Sequence, residues 1–436
     1  MKICHHFPEK SHGIHVGLAR EILSDTPLLV VQGARQVGKS TLLRQVLSPD
    51  DSVFVTLDDP TTRRFAEEDP VQFLRQAPGK TLAIDEAQRV PDLALALKLV
   101  IDEQRIPGAY AITGSADLLR LKGTGDSLAG RASSLTVRPL SQGEIGQRSD
   151  PEDFISWVAN GCAGNLDSSA SPSDIRERVT AGGYPEPLKR STFRARSRWF
   201  KDYVDQLLRH DVPQLAGESS QMLQSFEPLI RLLASQGESE LVVARLAERL
   251  GIVGSTLRMY LDTLDTMFLT ETLPSWGRGY SGRVVRRPKL SLVDTGLASS
   301  ITGFTPEASH QAGGFEFFGA QLEAFVSSEL KKQQTWSETI YRLYHYRQRN
   351  DEVDIVVELQ DGSVILMEVK STSQVRRDSW TSLQRISEKL GARVRASIVL
   401  YTGEKGYCID ESRSLYVLPV GLLWEHVSIP TPFPSQ

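Results

Sequence analysis

Between residues 26 and 145 strand-like apolar runs alternate with segments of helical period: "LLVVQ", "SVFVTL", "TLAID", "AYAIT" and "SLTVRPL". That alternation is the rhythm of a parallel α/β sheet. The stretch "NGCAGNLDSSASPSD" (160–174) then breaks it, and its Ser, Asp and Gly content reads as an exposed loop or disordered insertion. Residues 175–235 are helical by period, and "RSRWFKDYVDQLLRHDV" puts Trp199, Tyr203 and Leu207 at four-residue spacing, a core-facing stripe. "ELVVARLAERLGIVGSTLRMYLDTLDTMFLTETLPSW" reads as helix, Gly-containing turn, helix and strand, the order of a winged helix-turn-helix. From residue 316 a helix, "EFFGAQLEAFVSSELKKQ", leads into strands "IYRLYHYR", "EVDIVVEL" and "VILMEVK". A helix from about 378 and a last strand, "RASIVLY", complete a second α/β unit. No repeat at a fixed period is visible, which argues against a solenoid.

Composition narrows the class. A chain of 436 residues exceeds one ordinary hydrophobic core, so two to four domains are expected. Hydrophobic residues at 40% and charged ones at 24% match a soluble globular protein. A net charge of -4 supplies no global basic field, so any nucleic-acid contact must be local. Cys4, Cys162 and Cys408 are far apart and odd in number, forming neither a disulfide framework nor a zinc spacing. "MKICHHFPEK" lacks the apolar region of a secretory signal, and no apolar run reaches the ~18 residues of a bilayer span. A cytoplasmic protein with no membrane partner is expected. His5, His6, His12 and His15 invite a metal, but no Cys or carboxylate cluster completes the set.

One motif changes the picture. In "VVQGARQVGKSTLLRQ" the residues Gly33, Gly38, Lys39 and Ser40 satisfy G-x-x-x-x-G-K-[ST], with an apolar strand before them and a helix after. Such a loop, Gly33, Ala34, Arg35, Gln36, Val37, Gly38, Lys39, Ser40 and Thr41, curls backbone N–H groups around phosphate oxygens. Lys39 neutralises β and γ charge and the Ser40 hydroxyl can ligate Mg²⁺. "TLAIDEAQ" supplies Asp85 for the Mg²⁺ shell and Glu86 to polarise the attacking water, a pair that predicts hydrolysis. "YAITGSAD" offers Thr113 and Ser115 at the end of the next strand, to orient water, touch the γ-phosphate or simply form a turn. "LAGRASSLTVRPLSQGE" adds Arg131 and Arg138, with Arg131 read as an arginine finger in cis or in trans, or as a surface ion pair.

The order of P-loop, "IDE", "ITGS", "AGR", "RPLS" and "GGYPEPL" (182–188) resembles the prokaryotic AAA-type ATPases that carry a C-terminal DUF4143 domain. The resemblance spans nearly the whole chain and implies an additional-strand ATPase core, a winged-helix middle and a nuclease-like C-terminal domain. ATP rather than GTP follows from it and from the lack of an N-K-x-D motif.

In "NDEVDIVVELQDGSVILMEVKST" Asp354 opens one strand while Glu368 and Lys370, at i and i+2, share a face of the next. Two carboxylates and the Val369 carbonyl can ligate a hard cation, Mg²⁺ or Mn²⁺, while Lys370 orients water toward a phosphodiester. Glu323, on the preceding helix, is a fourth candidate. This order resembles the PD-(D/E)xK nuclease fold, with Val353 in place of the motif's proline and Gln384 at a position that is polar there.

Local basic stretches supply contacts for DNA or RNA: "YRQR" (346–349), "VRR" (375–377), "ARVR" (392–395), Ser255, Thr256 and Arg258 on the second helix of the winged module, and "GRGYSGRVVRRPK" (277–289). The fold class expected is α/β: a P-loop ATPase parallel sheet of AAA type at 1–145, a helical region at 146–235, a winged helix at 236–312 and a restriction-endonuclease-like α/β domain at 313–436. The function expected is a Mg²⁺-dependent ATPase, able to form homo-oligomers, coupled to a module that acts on or binds nucleic acid. The alternative is an ATP-operated switch or scaffold with an inactive nuclease-like domain.

Overall fold

The computed structural model describes residues 13–117, 128–148, 150–216, 220–277, 287–311, 313–348 and 351–425. The chain divides into two compact units, one built mainly from residues 1–140 and the other from 141–183, 187–261 and 270–436.

The first unit holds a five-stranded sheet of β1 (Leu28–Gln32), β2 (Ser52–Thr56), β3 (Thr81–Asp85), β4 (Tyr110–Gly114) and β5 (Ala132–Thr136), in the order β2-β3-β4-β1-β5. Every neighbour pair is parallel. Strands covered on both faces need apolar side chains at successive positions, which is why the runs of the inner strands β1, β3 and β4 are continuous rather than alternating, while the edge strands β2 and β5 are less buried. Leu28, Val30, Leu82, Ile84 and Ile112 pack with Phe73, Leu97 and Ile101 from the flanking helices. Strand β4 lies between β1 and β3, the additional strand that the resemblance implies. The C-terminal ends of β1, β3 and β4 therefore meet along one edge, where loops carry chemistry in open α/β sheets.

The second unit is organised on a six-stranded mixed sheet, β13-β14-β12-β11-β10-β9, from β9 (Tyr341–Gln348), β10 (Asp351–Leu359), β11 (Val364–Lys370), β12 (Val394–Tyr401), β13 (Tyr407–Asp410) and β14 (Leu415–Pro419). Two strands thus follow "RASIVLY", which the sequence reading took as the last. One face, with Ile355, Val357, Ile365, Met367 and Ile398, packs on Phe318, Leu322, Phe325 and Leu330 of the helix Gly314–Gln333. The other, with Val356, Leu366 and Val399, is covered by Leu383 and Ile386 of the helix Thr381–Leu390. A register shift between Val353 and Val356 interrupts the pairing of β10 with β9. Val353 and Ile355 consequently enter opposite cores although strand alternation would place them together.

In the same unit a three-stranded sheet, β6-β8-β7, joins β6 (Ser239–Glu240), β7 (Thr270–Leu273) and β8 (Lys289–Leu292). Helices Val243–Leu250 and Gly254–Thr266 come between β6 and β7. Tyr203 and Leu207 are buried, and Trp199 stacks on Tyr203 with ring centroids 5.1 Å apart, so the aromatic stripe packs as core.

The stretch 160–174 is not a free loop. Ser168 donates its N–H to the Glu404 carbonyl at 2.8 Å, Asp167 pairs with Lys405 at 2.7 Å, and Ala170 is buried. A capping box of Ser171 and Asp174 then starts the helix Pro172–Ala181. Its polar side chains serve as staples and caps, a use that composition alone does not distinguish from solvation.

The "GGYPEP" signature also has a structural reason. Gly182 ends that helix at a φ of 69°, and a Cβ there would lie 2.2 Å from Oδ1 of the buried Asp294. Asp294 accepts the Gly183 N–H at 2.7 Å and caps the helix Thr295–Thr302 through Leu297 N–H at 2.8 Å. Among the described residues no helix is long and apolar enough to cross a membrane. Cys4, His5, His6, His12, Arg349 and most of the stretch 277–289 lie outside the described residues.

Candidate functional site

The loop after β1 begins at Gly33, whose φ of 148° and closeness to β5 exclude a side chain: a Cβ would stand 2.1 Å from the Val137 carbonyl oxygen. Gln36 and Gly38 also have positive φ, 62° and 106°, so the backbone curls before the helix Lys39–Val46 starts. A curled backbone opening a helix presents several N–H groups to one point and adds the helix's partial positive charge. Lys39 is 5% exposed, and its Nζ donates to the carbonyls of Gly33 at 3.0 Å and Ala34 at 2.8 Å. Its charge is held inside the loop, where phosphate oxygens can take over those two bonds. Ala34 and Val37 are buried, while Arg35, Gln36 and Thr41 lie toward the surface of the loop.

The edge of β3 and β4 supplies the acids. Asp85 Oδ1 accepts from Ser40 Oγ at 2.8 Å and from Thr113 Oγ1. Thr113 is fully buried and also accepts the Glu86 N–H at 3.2 Å, so it holds both acids in place rather than facing solvent. Glu86 itself adopts a left-handed conformation, φ 58° and ψ 44°. For a residue with a Cβ this costs of order 1 kcal/mol or more, which surrounding bonds must offset. Here Gln88 donates its amide to Glu86 Oε2 and to Ser115 Oγ, the latter at 2.9 Å. Gln88 was missed by the motif reading, although it stands two residues after Glu86 within "DEAQ".

Arg131 requires a correction. It immediately precedes β5, whose first residue pairs with Leu28 at the start of β1, whereas the P-loop follows Gln32 at the other end. At about 3.3 Å per strand residue, that sets it roughly 16 Å from the loop along the strand direction, so it cannot act on its own nucleotide. Its guanidinium instead makes a bidentate pair with Asp102, at 2.7 and 2.6 Å, which raises the Arg131 pKa and lowers that of Asp102. Arg138 stands on the loop side, next to Val137, whose N–H donates to Gln32 O at 2.7 Å.

In the second unit the C-terminal acids do gather. Asp354 Oδ2 accepts the Val369 N–H at 2.8 Å across the β10–β11 pair, and Glu368 Oε1 accepts from Lys370 Nζ at 2.7 Å. Burial, then the Asp354 charge, pushes the Glu368 carboxyl up to about 7. Burial and then Asp354 likewise raise Glu323 well above the usual carboxylate range. Burial pulls the Lys370 ammonium down, but Glu368 beside it more than offsets this. The residue that sequence reading missed is Lys289 of β8: it was counted in a surface basic patch, yet it is 4% exposed and ion-paired with Glu323, with Asp354 Oδ1 at 4.0 Å. Among the described residues no group of three or more His, Cys, Asp or Glu side chains is placed to hold a metal ion. Glu323 and Asp354 face the Lys289 ammonium, whereas Ser40 and Asp85, two adjacent hard oxygen donors, fit Mg²⁺ completed by nucleotide and water.

The other basic stretches divide. Arg376 and Arg377 are exposed, but Arg393 donates to the Gly362 carbonyl at 3.1 Å and Arg395 to that of Ala159 at 3.0 Å. Arg347 sits between Glu240 and Glu352, each at 3.8 Å.

Comparison with known proteins finds family matches along three stretches of the chain. Residues 25–146 match the family described as AAA domain, and residues 318–423 match a domain of unknown function, DUF4143. A second domain of unknown function, DUF8612, matches 172–308. The uncharacterized protein Rv2008c of Mycobacterium tuberculosis is 28% identical over 360 residues, covering 81% of this chain and 72% of its own length. The uncharacterized protein Mb2031c of Mycobacterium bovis matches with the same values. The solved Walker-type ATPase PABY2304 of Pyrococcus abyssi aligns over 67% of this chain and 96% of its own, at 14% identity and a TM-score of 0.42.

Proposed function

We propose that this chain, an AAA-type P-loop ATPase with a C-terminal DUF4143 domain, hydrolyses ATP at the edge of β1, β3 and β4 and uses the cycle to control a nucleic-acid-binding module. The observation that carries the reading is the bonded series Ser40, Asp85, Thr113, Glu86, Gln88 and Ser115 behind a curled loop that holds Lys39. The loop N–H groups and Lys39 bind the β- and γ-phosphates. Ser40 and Asp85 would hold Mg²⁺, which would supply positive charge against the phosphates. Glu86, fixed by Gln88 and its own strained backbone, orients the attacking water and accepts its proton. Of Arg131 and Arg138, Arg138 is the one at the loop end of β5, and it takes the place that Arg131 cannot fill in cis.

Coupling to nucleic acid rests on the helix–strand–helix–helix–strand–strand order around β6–β8, read as a winged helix, and on the exposed Arg376 and Arg377. A specific observation favours a second reading within this one, that the C-terminal domain binds without cutting: Lys289 already neutralises Glu323. The test is ATP turnover with and without single-stranded DNA, duplex DNA and RNA, following strand length in the same tubes with Mg²⁺ or Mn²⁺. Nucleic-acid-stimulated turnover with strands intact is the expected result. Turnover that no nucleic acid changes would sink the coupling, and cleavage lost in Asp354→Ala would sink the non-cutting reading.

A further inference from the structure

Lysine 289 opens β8, the central strand of the three-stranded sheet, and its backbone pairs with Glu240 of β6 and Leu273 of β7. All four residues of β8 are buried. The side chain is buried with its strand, and the acids of this region come from four elements. Glu323 comes from the helix Gly314–Gln333, Asp354 from β10, Glu368 from β11, and Glu238 from the turn before β6.

The donor accounting is uneven. Glu323 Oε1 and Asp354 Oδ1 face the Lys289 ammonium, and Asp354 Oδ2 is taken by the Val369 N–H. Glu368 Oε1 is taken by Lys370, while its Oε2 is buried with no hydrogen-bond partner. Glu238 is 5% exposed, and the Ser327 hydroxyl is the hydrogen-bond donor beside its carboxylate. Lys331, paired with Glu271 at 3.1 Å, and Lys289 are the cations that act on it. Four carboxyl groups thus share a buried region in which Lys289 sits closest to two of them. A buried carboxylate without a counter-charge is costly, and a buried pair broken from one side costs more than the pair itself contributes.

Extending the non-cutting reading of the C-terminal domain, we propose that Lys289 is a built-in cation at the carboxylate site: its ammonium occupies the seat between Glu323 and Asp354 that a hard divalent ion would require. An ammonium matches such an ion in sign and bonds carboxylate oxygens through N–H donors. It differs in chemistry. It has no open coordination position, so it neither lowers the pKa of a bound water nor polarises a phosphoryl oxygen. The site is thereby kept folded and charge-compensated while closed to metal. The ligand class it would admit once the ammonium is removed is a divalent cation of the Mg²⁺ or Mn²⁺ type, held by Glu323 and Asp354.

The experiment uses the full-length chain without nucleotide and follows Mn²⁺ by its free-ion paramagnetic resonance signal and by the shift in melting temperature. Wild type, Lys289→Ala, Lys289→Gln, Asp354→Asn and the Lys289→Ala/Asp354→Asn double variant are compared, so that only Asp354-dependent binding counts for this site. Wild type is expected to bind no Mn²⁺ in an Asp354-dependent way at millimolar ion. Lys289→Ala, or Lys289→Gln if the alanine variant does not fold, is expected to gain one site that the second substitution removes. Asp354-dependent Mn²⁺ binding by wild type overturns the proposal and can be read whether or not either Lys289 variant folds. A folded Lys289 variant that binds none also overturns it. Strand cleavage by wild type, lost in Asp354→Asn, would instead sink the non-cutting reading, so the two failures are distinguishable.

Discussion

The nucleotide loop and the C-terminal acid site are made from the same parts, a lysine and carboxylates at strand ends, yet they stand in opposite states. Lys39 bonds to the carbonyls of Gly33 and Ala34, and phosphate oxygens can replace both. Lys289 is paired with a carboxylate that is itself buried, so leaving would strand a charge. Burial would depress the Lys289 pKa, but Glu323, Asp354 and Glu238 together raise it, and the ammonium stays charged. The difference teaches that spacing locates the acids, while the source of the neutralising cation decides whether a site awaits a ligand or is already complete.

The largest expected effect breaks the first half of that comparison. Lys39→Ala removes the charge that phosphate needs, and ATP turnover measured by phosphate release should fall by about a hundredfold or more. Unchanged turnover would mean that the loop is not the nucleotide site. The second half is tested by stability: Lys289→Ala leaves Glu323 buried and unpaired, a loss of about 3–5 kcal/mol in denaturant unfolding. Adding Glu323→Gln should restore most of it, because the two changes act on one interaction. Additive losses would show that the two residues do not act as a pair.

How legible these sites were differs for a physical reason. The runs of the inner strands β1, β3 and β4 are continuous and apolar because both faces are covered, and Gly33, Lys39, Ser40, Asp85 and Glu86 lie next to them in sequence. Local order thus carried the nucleotide site. Arg131 was misjudged because the chain gives the strand but not which end of it faces the loop; the register of Ala132 with Leu28 decides that. Lys289 was illegible because it closes a stretch rich in Arg and Gly, and its partners Glu323 and Asp354 lie on other elements, far along the chain. β13 and β14 were overlooked as short runs after a long strand, and the staples at 167–170 look like loop composition until Lys405, Glu404 and Glu425 are brought beside them.

A buried acid away from both sites sharpens the contrast between compensated and uncompensated charge. Burial, with Glu329 and Glu144 nearby, pushes the Glu152 carboxyl up to about 7. A carboxyl whose folded pKa is raised holds its proton more tightly when folded, so the contribution of Glu152 to stability is fully present below about 4.5 and is lost as pH rises to about 7. Glu152→Gln should remove that fall, leaving melting near pH 4.5 little changed and raising stability at pH 8 by up to about 3 kcal/mol. A variant no more stable at pH 8 than wild type would place the charge cost elsewhere. The smallest effect concerns the arginines: Arg138→Ala should lower ATP turnover more than Arg131→Ala does. The reverse order in the same assay would restore Arg131 as a residue acting across subunits.

Glu86, as the group that takes the water's proton, is tested most directly by pairing ATP binding with ATP turnover in wild type and Glu86→Gln. Binding, read with a fluorescent ATP analogue, should change little, while turnover should drop by about a hundredfold or more. Turnover within a few-fold of wild type would contradict the assignment of hydrolysis to this edge of the sheet.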